Sequence, residues 1–212
     1  MSMLSLVLLA AVTTNVPNPS GAPAAPLAES PIASKARGWQ LSSSIGVGFT
    51  SSSYRPEDQT GVSQTTLNNL DAPPAFYGEI AALYRRTYFS YGASLSAQYN
   101  RLTQESAYYD LNYTELPLVL ALRLGVHPYD DRLSIYAGAG AAFVMSTTEL
   151  TSSVIELDKS ASTTSTGPAL TSGISYALTP AHSLSLTWTH TFSDDANISA
   201  TNLGWTYTFG KE

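Results

Sequence analysis

The chain has 212 residues, enough for one domain of ordinary size. Charged residues make up only 12% of it, about half the share usual in soluble domains, and the formal net charge of -6 argues against a nucleic-acid partner. There is no cysteine, which excludes disulfides, a thiolate nucleophile and Cys-ligated metals.

The N-terminal segment, residues 1–24, predicts a signal peptide. Residues 4–12 (LSLVLLAAV) are apolar but too short to cross a bilayer as a helix, which takes about 20 residues. Residues 22–24 (Ala-Pro-Ala) form a candidate cleavage site, although no Lys or Arg precedes the apolar run, and a disordered apolar tail is the alternative. Residues 25–38 lack periodicity and predict a flexible lead-in before a domain at 39–209; residues 210–212 would form a short tail.

From Trp39 to Phe209, apolar and polar residues alternate in eight segments, which predicts eight strands of about ten residues each. In ELPLVLALRLG, residues 115–125, leucine occupies every second position from Leu116 to Leu124. Pro117 would remove one hydrogen bond from the ladder there, so we expect a bulge. The connections are short near 86–87, 127–131 and 179–182, and mostly long and polar at 51–75, 101–112, 146–166 and 193–198.

This alternation of short and long connections is typical of membrane barrels with short periplasmic turns and longer external loops. Strands of about ten residues tilted near 45° span the hydrocarbon, and closure leaves no unpaired backbone edge in lipid. A soluble lipocalin-like ligand-binding barrel is the alternative, but its outer face would carry many charges. Here the polar face is Ser, Thr, Gly, Ala, Gln and Asn, which suits a narrow interior. The prediction is an all-β, eight-stranded antiparallel up-and-down transmembrane β-barrel.

Aromatic residues near the strand ends predict two girdles at the membrane interfaces. The girdle on the turn side would contain Trp39, Tyr88, Phe89, Tyr207 and Phe209. The girdle on the loop side would contain Phe49, Phe76, Tyr99, Tyr113 and Phe192.

Four charged residues fall on the inward face and form a candidate charged network: Glu79, Arg85, Glu115 and Arg123. Buried charges are costly unless they are paired. Glu79 and Arg123 fall at more similar heights along their strands than either pair of charges on the same strand, so we expect them to meet across the lumen within about 6 Å. Such a pair would brace the barrel or gate ions. Eight strands leave an interior filled by side chains rather than an open pore.

His190 lies on the lipid face near the loop end, in WTHTFSDDAN. Outer-membrane lipid A deacylases use an outward His and Ser two residues apart, but here the residue two further on is Phe192, and Ser193 faces the other way. Without a nucleophile in reach, an interfacial role is favoured over catalysis. His127 and His182 lie at turns on the opposite side, so the three histidines cannot form one metal site. We therefore expect no catalytic residue, cofactor or metal.

The eight strands, the pairing of YTELPLVLALRLG with LSIYAGAGAAF, and the aromatic last strand NLGWTYTF resemble small Gram-negative outer-membrane barrels. These are the OmpA-type transmembrane domain and the porin-family outer-membrane proteins, and the resemblance covers about 39–209. It implies a place in the cell outer membrane, with outer-membrane lipids and lipopolysaccharide as partners. It also implies that the barrel-assembly machinery recognises the strand ending at Phe209, which three residues follow.

The connections 51–75 and 146–166 are rich in Ser, Thr and acids, which predicts mobile external loops. We expect a structural or surface-interaction role through these loops, with an unknown surface ligand and a monomeric state. No peptidoglycan-binding domain is expected after the barrel. The alternatives are a narrow channel, a lipid-modifying enzyme and the soluble ligand-binding barrel.

Overall fold

The computed structural model describes residues 38–54, 73–105, 108–128, 132–152, 157–193 and 196–209. Eight strands account for most of them: β1 (Gly38–Tyr54), β2 (Ala75–Arg85), β3 (Phe89–Glu105), β4 (Asp110–Val126), β5 (Leu133–Ser152), β6 (Leu157–Ala177), β7 (His182–Phe192) and β8 (Ala196–Phe209). Each strand pairs antiparallel with the next, and β8 pairs with β1 to close the barrel. The predicted eight-stranded up-and-down barrel is confirmed. The predicted signal peptide and the tail 210–212 lie outside the described residues.

The strands are staggered around the barrel by ten residues. Following paired residues once around the circuit from Leu41 leads back to β1 at Ser51, ten positions further along. The steps between them are Ala82, Ala93, Leu122, Ala139, Leu170, His190 and Ser199. This stagger tilts the strands, and together with the strand number it sets an interior wide enough for side chains only.

Side chains at alternate positions along each strand point outward and inward, which gives an apolar outer surface and a largely polar interior. On β4, Leu122 is 73% exposed, whereas its neighbours Ala121 and Arg123 are 2% and 6% exposed. The buried hydroxyls include Ser44, Ser90, Ser94, Thr171, Ser183, Ser185, Thr187, Thr189 and Thr191. Leucine side chains are stabilised by contact with lipid chains and not by contact with water. The leucine-rich outer surface therefore suits a bilayer. Across the described residues, no helix is both long and apolar enough to cross a membrane.

Six strands exceed the predicted length of about ten residues by four residues or more. β1, β3 and β4 have 17 residues each, β8 has 14, β5 has 20 and β6 has 21, whereas β2 and β7 have 11. The prediction of a long loop at 146–166 is wrong. β5 continues to Ser152 and β6 begins at Leu157, and these two residues pair with each other. We call residues 146–152 and 157–166 the outer hairpin.

The outer hairpin escapes prediction because its strands lack an apolar face. Its residues are mostly Ser and Thr. Even the inward face of its β5 part, where Thr148 and Ser152 are buried, carries polar residues beside Leu150, so no apolar alternation of period two marks the strands. Threonine nevertheless favours extended backbone. The predicted connection 101–112 is shortened in the same way, since β3 ends at Glu105 and β4 begins at Asp110. Most of the predicted connection at 51–75 lies outside the described residues.

Pro117 causes a gap in the ladder rather than the expected bulge. Ala97 pairs with Leu118 and Asn100 with Glu115 in one continuous register, and only the two pairs between them are missing. On the other side, Pro117 pairs opposite Val144 without interruption. Because proline has no N–H, the pairing of β4 with β3 is lost locally. No extra residue is inserted, so side chains of β4 alternate between inward and outward in the same way before and after Pro117.

A charge placed on the lipid face tests this arrangement. Leu122→Arg puts a guanidinium in the apolar stretch of β4, and we expect it to lower the free energy of unfolding by about 2–4 kcal/mol. Thr164→Arg puts the same group on the exposed outer hairpin, and we expect a change within about 0.5 kcal/mol. Urea unfolding in lipid vesicles measures both; equal losses for the two variants would contradict a lipid-facing surface at Leu122.

Candidate functional site

A chain of polar contacts crosses the lumen from β2 to β7. The Tyr77 hydroxyl donates to Glu79 Oε2 at 2.9 Å, and Arg123 Nη1 donates to Glu79 Oε1 at 2.5 Å. The Arg123 guanidinium lies 3.6 Å from the ring centroid of Tyr136, whose hydroxyl shares a 2.6 Å hydrogen bond with Thr187 Oγ1. We call these five residues the cross-lumen plug. They join four strands through side chains, in addition to the backbone ladder.

The register of the barrel makes room for the long side chain of Arg123. Its paired residues are Gly92 on β3 and Gly138 on β5. A Cβ at Gly138 would lie 3.0 Å from Arg123 Cγ and 2.9 Å from the Thr171 methyl group, which is too close for unstrained packing. Glycine at this position therefore lets the guanidinium extend across the lumen to Glu79.

The ion pair at the centre of the plug is almost completely shielded from solvent. The side chains of Arg123 and Glu79 are 6% and 9% exposed. Removing two charges from water is expensive, and their attraction offsets this cost only when the remaining donors and acceptors are also satisfied. The Tyr77 hydroxyl donates a hydrogen bond to the carboxylate of Glu79, and the Tyr136 ring makes a cation–π contact with the guanidinium of Arg123. Both interactions offset part of the desolvation cost.

The four predicted interior charges are all placed in the barrel interior or at its ends. Glu79 and Arg123 meet, well within the expected 6 Å. Arg85, 4% exposed, is the last residue of β2 and lies at the turn end. Glu115, 1% exposed, lies towards the loop end, where Asn100 Nδ2 donates to its Oε2 at 3.2 Å.

A second polar cluster surrounds Glu115 and is not evident from the charged residues alone. Gln98 Nε2 donates to Thr50 Oγ1 at 2.5 Å and to Asn100 Oδ1 at 2.9 Å. Thr50 Oγ1 also donates to Asn100 Oδ1 at 2.9 Å. The sequence signal was the inward parity of Gln98 and Asn100 on β3. Buried amides must be paired, so two amides on one inward face predict such a cluster.

Two cavities lie on either side of the plug. The lower cavity, about 80 Å³, extends from Glu79 and Arg123 towards the turn ends of the strands, where Arg85 and Thr208 line it. The upper cavity, about 20 Å³, lies towards the loop end and is lined by Tyr77 and Asn202 among others. The interior is therefore interrupted by the plug instead of forming one continuous channel through the described residues.

Nine of the ten predicted girdle residues lie exposed on the outer surface: Trp39, Phe49, Phe76, Tyr88, Phe89, Tyr99, Phe192, Tyr207 and Phe209. The prediction for Tyr113 is wrong. Tyr113 is 5% exposed and packs in an inward apolar cluster with Leu102 and Leu111. It shares the odd parity of Glu115 on β4, so it must face the interior, whatever its height along the strand.

The expectation that no serine hydroxyl lies within reach of His190 is wrong, because the neighbouring strand supplies one. Its Nδ1 lies 2.5 Å from Ser199 Oγ, and the two residues are paired in the β7–β8 register. The ring stacks on Trp188 with centroids 5.7 Å apart and meets the edge of Phe192 at 4.2 Å. The sequence of β7 alone does not reveal Ser199, because the partner comes from cross-strand register rather than spacing along one strand. The hydrogen bond satisfies a polar nitrogen on a lipid-facing surface.

A family model described as "Outer membrane protein beta-barrel domain" matches residues 7–209. A search of the curated proteins found no match.

Among solved structures, Ail, the attachment invasion locus protein of Yersinia pestis, is 17% identical, with 82% of this chain and 100% of that chain covered and a TM-score of 0.55. Neisserial surface protein A is 15% identical, with 81% and 97% covered and a TM-score of 0.44. The N-terminal β-barrel domain of Pseudomonas aeruginosa OprF is 14% identical, with 82% and 98% covered and a TM-score of 0.39. The likeness to Ail is one of fold.

A double-mutant cycle tests the plug. Glu79→Gln leaves the Arg123 charge buried without its carboxylate, and Arg123→Leu leaves Glu79 in the same position. We expect each to lower the free energy of unfolding by about 3–5 kcal/mol. The double variant removes both charges and should lose less than either single variant. Urea unfolding in vesicles measures all four proteins, and losses that simply add would show that the two side chains do not interact.

Proposed function

Because the chain belongs to the outer membrane protein β-barrel domain family and lies in the outer membrane, we propose that it is a surface-interaction protein whose binding element is the outer hairpin. The observation that carries this proposal is an open strand edge on β6. The soluble ligand-binding barrel is no longer an alternative. Recognition by the assembly machinery, contact with lipopolysaccharide and a monomeric state stay predictions.

The upper part of β6 is paired on one side only among the described strands. β6 pairs with β5 from Leu157 onwards, but it pairs with β7 only from Ala169 to Ala177. Gly167 lies against the backbone of Phe192 and Ser193. On this side, residues 157–166 are paired with no strand in the described part of the chain, so we call them the free edge of β6. Such an edge is a template on which another extended polypeptide adds as a strand.

The free edge lacks most of the features that normally prevent pairing. Natural edges are protected by charges, prolines or bulges. Here Asp158 and Lys159 lie near the tip and Pro168 at the base, but residues 160–166 (SASTTST) carry no charge and no proline. The register with β5 runs without a bulge through all of them. Seven successive residues are thus available to a partner strand.

The charge of the outer end favours a polypeptide over a polyanion. Ail has been crystallised with the heparin analogue sucrose octasulfate, a strongly anionic ligand. The described strand residues at the outer end of this chain include Asp110, Glu149 and Asp158 against Arg101 and Lys159. Recognition of sulfate groups needs clustered positive charge. A partner bound through backbone hydrogen bonds has no such requirement.

Selection of peptides on the purified barrel tests this proposal. A phage-displayed library of unstructured peptides is selected on the wild-type protein in nanodiscs, and the enriched peptides are measured on two variants. Thr164→Lys adds a charge to the free edge of β6, and we expect the Kd to rise at least about tenfold.

The matched control is Thr147→Lys on β5, which points the same way but lies inside the sheet, paired opposite Ser162. We expect its peptide affinity to stay close to that of the wild type. Failure to enrich any peptide, or equal binding to both variants, would contradict β6 as the binding edge.

We propose further that the barrel interior stays closed and is not a channel. The plug supports this, since it occupies the lumen between the two cavities. The measurement is single-channel recording in planar bilayers, where the wild-type protein should show no steps above the bare membrane. Reproducible conductance steps would favour the narrow channel.

We propose also that His190 is not the base of a lipid hydrolase. Its ring is held between Trp188 and Phe192 and hydrogen-bonds Ser199, which is sufficient to explain a histidine at the interface. Cells producing the wild type or His190→Ala should therefore contain lipid A with identical acyl chains by mass spectrometry. Loss of an acyl chain only with the wild type would overturn this.

A further inference from the structure

The side chains of the outer hairpin lie on two faces, and the unbroken register with β5 fixes which residues lie on each. Leu170 is 43% exposed and Ala169 is 1% exposed, so even positions of β6 point outward and odd positions inward. The β5–β6 ladder continues without an inserted residue up to Leu157, so the same alternation holds along the free edge. On β5 the outward positions are odd, as at Phe143 and Met145. A strand added to the free edge must alternate between the same two faces.

Hydrogen bonds between hydroxyl side chains hold the free edge onto β5. Ser146 Oγ and Thr163 Oγ1 lie 2.7 Å apart, and Thr147 Oγ1 and Ser162 Oγ lie 3.1 Å apart. Both pairs of residues are also paired in the backbone ladder. The edge is thus ordered before a partner arrives, which lowers the entropic cost of binding. Because the backbone hydrogen bonds of an added strand are open to any sequence, the side chains beside the edge select the partner.

Acidic side chains lie on the outward face near the tip of the hairpin. Asp158 belongs to the free edge, and Glu149 on β5 is paired opposite Ser160, the next outward residue of the edge. Both carboxylates are exposed. Neighbouring strands lie about 4.8 Å apart, so Asp158 is about 5 Å and Glu149 about 10 Å from the backbone of an added strand. Since the Debye length at physiological ionic strength is about 8 Å, Asp158 acts strongly and Glu149 in part on a charge carried by that strand.

The basic residues of the described outer end do not cancel this negative charge on the outward face. Lys159 has an odd position on β6, so its side chain lies on the inward face. Arg101 faces outward on β3, but it lies about 19 Å from an added strand and donates to Asn112 Oδ1 at 3.4 Å. The net charge of the whole chain, -6, has the same sign as the two carboxylates. The outward face beside the free edge therefore favours positive charge on a partner near the tip.

The outward face becomes apolar towards the base of the hairpin. Met145 and Phe143 on β5 are paired opposite Thr164 and Thr166, and they are 36% and 40% exposed. Because threonine is small, a long apolar side chain on an added strand reaches over it to the apolar neighbour on β5. The lipid-facing surface of the barrel begins at this level, so a charged side chain would be costly there.

We propose that the partner of the free edge is an extended basic peptide in which charge and apolarity follow one face. Lysine or arginine occupies two alternate positions beside Asp158 and Ser160, and apolar residues occupy alternate positions beside Thr164 and Thr166. This inference rests on the proposed surface function and adds the chemical class of the partner. It requires more than net positive charge, because the same residues on opposite faces of a strand cannot all point outward.

Synthetic peptides of matched composition test this inference. The patterned peptide has about ten residues, the length of the free edge, with two lysines at alternate positions near one end and two leucines at alternate positions near the other. All four lie on one face, and threonine fills the remaining positions. A second peptide has the same composition but adjacent lysines, which lie on opposite faces. Two more replace the lysines or the leucines with serine. Each is made with the lysines near either terminus, because an added strand runs parallel or antiparallel to β6.

Fluorescence anisotropy gives the Kd of each peptide for the protein in phosphatidylcholine nanodiscs, whose lipids carry no net charge, at about 0.15 M salt. Three protein variants are compared with the wild type: Asp158→Asn, Glu149→Gln and the control Asp110→Asn. Asp110 is exposed and faces outward like the other two, but it lies on β4, about 14 Å from an added strand. Heat-modifiable gel mobility establishes that each variant is folded.

We expect the patterned peptide to bind the wild type about threefold more tightly than the peptide with adjacent lysines and about fivefold more tightly than either serine version. Asp158→Asn should raise its Kd about threefold and Glu149→Gln about twofold, while Asp110→Asn should leave the Kd unchanged. The bound peptide should slow amide exchange in residues 160–166, which places it on the free edge.

Three results would overturn the basic, patterned partner. The first is equal affinity for the patterned peptide and the peptide with adjacent lysines. The second is an equal rise in Kd for Asp158→Asn and Asp110→Asn, or no rise for either. The third is a patterned peptide that does not bind while library selection enriches peptides of another pattern on the same edge; the proposed surface function would then stand without this partner class. If no peptide of any sequence binds the edge, both proposals fail.

Discussion

The closed ring of backbone hydrogen bonds is the constraint on which the rest of the structure depends. No water is present in hydrocarbon to satisfy an open strand edge, so the strand crossing a bilayer must be paired on both sides. β8 returns to β1 to meet this requirement, with a ten-residue stagger between Leu41 and Ser51. Once the ring is closed, parity alone decides which residues meet lipid and which meet the lumen.

Closure of the barrel leaves two regions in which polar groups are satisfied differently, the interior and the part outside the membrane. Inside, polar groups are cut off from bulk solvent and must satisfy one another, and the cross-lumen plug and the cluster around Glu115 are two solutions to that problem. Outside the membrane the constraint is lifted, because water can satisfy an unpaired edge. Only there does β6 extend past its neighbour β7, and the same geometry that would be forbidden in lipid becomes a binding edge.

Parity made most of the fold predictable, while register and solvent contact decided what was missed. The leucines at alternate positions of β4 predict which of its faces contacts lipid. The similar heights of Glu79 on β2 and Arg123 on β4 predict their ion pair. Tyr113 lies near the height of an interface, but its odd position on β4 turns its side chain inward, so it does not join the girdle. Ser199 was missed because cross-strand partners follow from register, which a single strand does not contain. The sequence of the outer hairpin does not predict strands because its buried positions, such as Thr148 and Ser152, are polar and so give no apolar alternation.

Amide hydrogen exchange of the outer hairpin, measured residue by residue by NMR in nanodiscs, tests most directly whether β6 carries a free edge above the membrane. Successive N–H groups of a strand point to opposite sides, so an edge strand paired only with β5 should show alternating slow and fast exchange along residues 157–166. The segment from Ala169 to Ala177, paired on both sides, should be slow throughout. Uniformly fast exchange at 157–166 would mean a mobile loop, and uniformly slow exchange would mean an edge already covered; either would contradict the open edge.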